Sequence, residues 1–102
     1  MAMAWPKETA RVLTELTGEA RPDVAMLIVM KDAVAHRLEQ IELAQKQFQA
    51  KYGMTFEEYK KKWDAEDKEE DYSYETEFDY LEWEVLGTRQ ARLEKLRAGL
   101  GM

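Results

Sequence analysis

The side chains with the most chemistry to offer in this chain are its carboxylates. Glu66 stands three residues before Glu69 and four before Glu70, so on a helix these groups share one face. Such a pair can hold magnesium for phosphate hydrolysis if a second acidic pair faces it from another helix. Glu57 and Glu58 are the nearest candidates for that second pair, but Glu58 has another task as a helix cap. A solvated acidic face is the simpler account of Glu66, Glu69 and Glu70. His36 is the only histidine and there is no cysteine, which leaves a zinc site or a nucleophilic triad without its parts. The five glycines are scattered, so no phosphate-cradling loop is present, and the acids around Lys60, Lys61 and Lys62 argue against nucleic acid. We therefore expect no catalytic residues, no metal and no cofactor.

What the acids do build is a charged segment. Residues 64–84 carry eleven acids and one base, a net charge of −10, while the remainder of the chain carries +4. Such a segment repels nucleic acid and anionic membrane and attracts basic protein surfaces. Aromatic rings run through it: Trp63 just before it, then Tyr72, Tyr74, Phe78, Tyr80 and Trp83. Rings with a charged rim are the usual means of protein recognition. The expected partner-binding residues are Trp63, Glu69, Glu70, Asp71, Tyr72, Tyr74, Asp79, Tyr80 and Trp83.

Helices must position these groups. At 102 residues, 45% hydrophobic and 35% charged, the chain reads as one globular domain. A short N-terminal helix is expected within residues 1–20, opened by Pro6 and closed by Gly18. A long helix follows over 22–52, from Pro22 to the stop at Gly53. Leu27, Val34, Ile41 and Phe48 recur every seventh residue in it, with Leu38 and Tyr52 beside them, an imperfect heptad stripe. Its start, Val24 to Met30, is apolar on every side and must be covered on every side. That demand predicts a homodimer through Leu27, Val34, Leu38, Ile41 and Phe48. A short helix over 55–63 opens with Thr55-Phe56-Glu57-Glu58, the capping-box pattern. Residues 64–77 are expected to form an acidic extended connector, because Tyr72, Tyr74, Thr76 and Phe78 alternate with polar residues as in a strand. A C-terminal helix over 78–100 completes an all-α chain, with Gly87 inside it either permitting close packing or marking a break. The longest apolar run has seven residues where a membrane span needs about 20. Met1-Ala2-Met3-Ala4 carries no basic leader, so a cytoplasmic location is expected.

One stretch also resembles a known family. Lys51-Tyr52-Gly53-Met54-Thr55-Phe56-Glu57-Glu58-Tyr59, then Trp63, Tyr72-Ser73-Tyr74-Glu75 and Asp79-Tyr80-Leu81-Glu82-Trp83-Glu84 together look like the antitoxin paired with TumE-type toxins in two-gene prokaryotic cassettes. The similarity covers about residues 38–98. It implies a protein that neutralises a basic toxin encoded nearby and that has no catalytic residues. The alternatives weighed beside it are a magnesium-dependent all-α hydrolase resembling nucleotide pyrophosphatases and a structural helical adaptor.

Overall fold

The computed structural model describes residues 4–65 and 74–102. Four helices account for 86% of them, and none of them is in a strand. They are α1 (Lys7–Thr17), α2 (Pro22–Tyr52), α3 (Phe56–Ala65) and α4 (Tyr74–Gly99).

Glycines end the first two. Gly18 and Gly53 adopt the left-handed conformation, with φ of 74° and 67°, and each amide reaches back to the carbonyl four residues earlier. Only glycine takes that conformation without a steric penalty. The chain reverses after Gly18 and turns after Gly53 into the short α3. α3 then begins with a formed capping box. The Glu58 amide donates to Thr55 Oγ1 at 3.2 Å, and the Thr55 amide donates to Glu58 Oε1 at 3.4 Å.

α2 is the axle. α1 folds back on its N-terminal half, where Leu13 and Ala25 are buried. α4 runs antiparallel along it. Gln45 Nε2 donates to Gln90 at 3.1 Å, Phe48 stacks on Trp83 at 5.5 Å, and Lys51 reaches Glu75 and Asp79. α3 hooks across the far end of this pair and packs on α4. The result is a rod, 61 × 22 × 21 Å.

The structure corrects three expectations. The C-terminal helix begins at Tyr74, so the described end of the expected connector is helical, and Asp64 and Ala65 belong to α3. The alternation that suggested a strand arises because α4 is apolar on two sides. Thr76, Tyr80 and Trp83 follow one helical stripe and Tyr74, Phe78, Leu81 and Val85 the opposite one, which over a few residues imitates period two. Gly87 neither admits a neighbour nor breaks the helix. It lies inside α4, and a Cβ there would meet nothing within 4 Å. Finally, the heptad stripe of α2 is used within the chain. Val34, Leu38 and Ile41 are buried in a single copy and Phe48 stacks on Trp83, leaving only Leu27 exposed among the five residues expected at a dimer seam. α1 and α4 cover α2 from two sides, and this supplies much of the cover that seemed to require a second copy.

Candidate protein-interaction site

Seven rings from three helices meet at the hooked end. Trp83, 1% exposed, lies at the centre, with Phe48, Tyr52, Phe56 and Tyr59 at centroid distances of 5.4–6.0 Å. Tyr80 stacks on Trp63 at 4.8 Å and closes the outer side. Offset and tilted ring pairs of this kind add to the stabilisation that burial alone gives. The sequence dictates the convergence. Phe56, Tyr59 and Trp63 share a face of α3, Tyr80 and Trp83 share a face of α4, and Phe48 and Tyr52 share a face of α2.

A polar clasp sits beside the rings. Asp79 Oδ2 accepts from Lys51 Nζ at 2.6 Å and from the Tyr52 hydroxyl, and Lys51 also donates to Glu75 at 2.8 Å. Burial pushes the Asp79 carboxyl up, but the Lys51 and Tyr52 hydrogen bonds together outweigh it and hold the group below its ordinary value. The same bonds, Asp79 first and Glu75 second, raise the Lys51 ammonium. Burial, then the bond to Asp79, drives the Tyr52 hydroxyl far above its usual range. The Tyr59 hydroxyl is buried and has no hydrogen-bond partner among the described residues. Burial raises its pKa, and the neighbouring Tyr52 hydroxyl opposes that rise.

The residues expected to bind a partner are therefore divided. Trp63, Tyr80 and Trp83 belong to the ring cluster: Trp83 meets rings from α2 and α3, Tyr80 meets rings from α3, and Trp63 stacks on Tyr80. Asp79 is committed to the clasp. Glu69, Glu70, Asp71 and Tyr72 lie outside the described residues, as does Glu66. Tyr74 is exposed.

Tyr74 belongs to a surface the sequence reading did not assemble. It stands 78% exposed, followed on the same outward face of α4 by Phe78 at 56%, Leu81 at 52% and Val85 at 54%. Tyr74 and Phe78 contact each other, with centroids 5.7 Å apart, and Phe78, Leu81, Glu82 and Val85 line an open groove of about 280 Å³. Between Tyr74 and Val85 the chain has five acids and no base. The spacing of four, three and four marks this stripe in the sequence, although between Tyr74 and Phe78 it coincides with period two. Single exposed apolar side chains are ordinary, whereas these four make a continuous apolar stripe on one helix face.

Among the described residues, no group of three His, Cys, Asp or Glu side chains could hold a metal ion, and no helix is long and apolar enough to cross a membrane. No known protein family, curated protein or solved structure matches this chain.

Proposed function

We propose that this protein is a binding module that neutralises a basic protein partner in the cytoplasm, in the manner of a toxin's antitoxin. The observation that carries the reading is the outward face of α4: an apolar stripe from Tyr74 to Val85 flanked by Glu77, Glu82 and Glu84, with no base on that stretch of the helix. Rings and aliphatic groups give such a contact its lifetime, and the acids raise its rate of formation with a basic surface. The resemblance of residues 38–98 to the antitoxins of TumE-type toxins points the same way, since a toxin that handles RNA presents a basic site.

The test is a binding-kinetics series against the protein encoded beside this gene, which this reading expects to be small and basic. Glu82→Gln with Glu84→Gln should slow association and flatten its salt dependence. Tyr74→Ala and Phe78→Ala should instead speed dissociation, each by about tenfold or more. If both pairs leave the two rates unchanged while the helical content survives, the acidic face is only solvated surface and the reading is wrong.

A further inference from the structure

α4 carries opposite charge on its two halves. Tyr74 to Val85 has a net charge of −5, and Gly87 to Gly99, with Arg89, Arg92, Lys95 and Arg97 against Glu94, has +3. The apolar surface is likewise in two parts. The first half presents the stripe of Tyr74, Phe78, Leu81 and Val85. The second half borders an open groove of about 510 Å³ in which Leu96, Gly99 and Leu100 face Met30 and Ala33 of α2. Met30 and Leu96 are both exposed there, and a Cβ built on Gly99 would meet nothing within 4 Å.

These two halves complement each other, but one chain cannot join them, because they lie end to end on a single straight helix. We propose that a second copy of this chain binds antiparallel along the outward face of α4, setting Tyr74 and Phe78 of each copy against the groove beside Leu96 of the other. Two independent spacings agree on where the two-fold axis falls. The midpoint between the Tyr74–Phe78 pair and the Leu96–Gly99 groove lies between Leu86 and Gly87, about one residue from that of the charged pair that follows. Glu82 and Arg89 are seven residues apart on the same flank, both exposed and without an ion-pair partner among the described residues, and their midpoint lies between Val85 and Leu86. An axis there pairs each Glu82 with the second copy's Arg89. A parallel arrangement would set acidic half against acidic half and is excluded by repulsion. The contact is isologous, so it closes at two copies. It does not depend on the basic-partner reading, although a basic partner and a second copy would compete for the acidic half of α4.

The purified chain alone provides the test, so a failure here is separate from any failure to bind a toxin. Sedimentation at tens of micromolar should show a dimer at low salt that weakens as salt rises. Glu82→Lys and Arg89→Glu should each weaken it about tenfold, and an equimolar mixture of the two should restore it, because the reversed charges then face each other. Geometry is read with single cysteines, which the native sequence lacks. Val85→Cys, beside the axis, should cross-link on oxidation. Tyr74→Cys should not, because the two sites lie about 36 Å apart along the helices. A monomer under these conditions, or Tyr74→Cys cross-linking as readily as Val85→Cys, would overturn the proposal.

Discussion

Asp79 shows how a single group is fixed by neighbours distant in the chain. Its side chain is 14% exposed, and a carboxylate so covered is tolerable only because Lys51 and Tyr52 both donate to it. Removing the charge should reveal their contribution. Asp79→Asn should lower stability at neutral pH by roughly 1–3 kcal/mol, the range for hydrogen bonds to charged groups. The dependence on pH follows from the direction of the shift. The folded-state pKa is depressed, so the contribution is complete above the unfolded carboxylate value of about 3.9 and is lost as pH falls through the lower folded value. Chemical denaturation at neutral pH and near pH 3 should therefore show the gap between native protein and Asp79→Asn narrowing in acid. A gap that stays constant would mean that the clasp is not what stabilises this end.

At the scale of elements, two glycines with different surroundings should respond oppositely to the same change. Gly53 closes α2 with φ of 67°, which an L side chain adopts only under strain, although there is open space around it. Gly53→Ala should cost about 1–2 kcal/mol. Gly87 lies in the interior of α4 with helical backbone and equally open space, so it contributes only extra freedom to the unfolded chain. Gly87→Ala should stabilise by roughly 0.5–1 kcal/mol. Thermal melts of the two variants check both signs. The same element shows why sequence pattern misled. α4 has one apolar side for the ring cluster and another for solvent or a partner, and two stripes on a helix dilute the single-face signal that marks a helix packed on one side.

The whole molecule is a rod whose two ends are stabilised by different contacts. Its radius of gyration is 19.9 Å, whereas a compact chain of about 100 residues would have roughly 13 Å. α1 covers the N-terminal half of α2 with Leu13, and the ring cluster covers the other end with Trp83; α2 is shared between them. Leu13→Ala should cost about 2–5 kcal/mol and Trp83→Ala about 3–5 kcal/mol. The two sites are separated by some 30 Å of α2 and share no neighbour, so in the double variant the losses should add to within about 0.5 kcal/mol. Denaturant titration of the four proteins measures this. A large non-additive remainder would mean that α2 transmits packing changes along its length.

The sequence by itself determined the all-helical class, the helix stops at Gly18 and Gly53 and the capped start of α3, because each depends on residues within a few positions of one another. Proline and glycine restrict or free their own backbone, and Thr55 and Glu58 satisfy each other across one turn. It also marked the acidic, aromatic region as the part of the chain with something to recognise. It could not apportion that region. Trp63, Tyr80 and Trp83 look the same in sequence as Tyr74 and Phe78, yet Trp83 is buried among rings from α2 and α3 and the half-buried Trp63 and Tyr80 stack on each other, while Tyr74 and Phe78 are exposed. The same holds for the heptad stripe of α2, whose period fits a second copy and this chain's own α4 equally well. Periodicity says which residues share a face, but the occupant of that face is set by helices that lie 20 to 60 residues away in the chain, and only the tertiary structure brings those together.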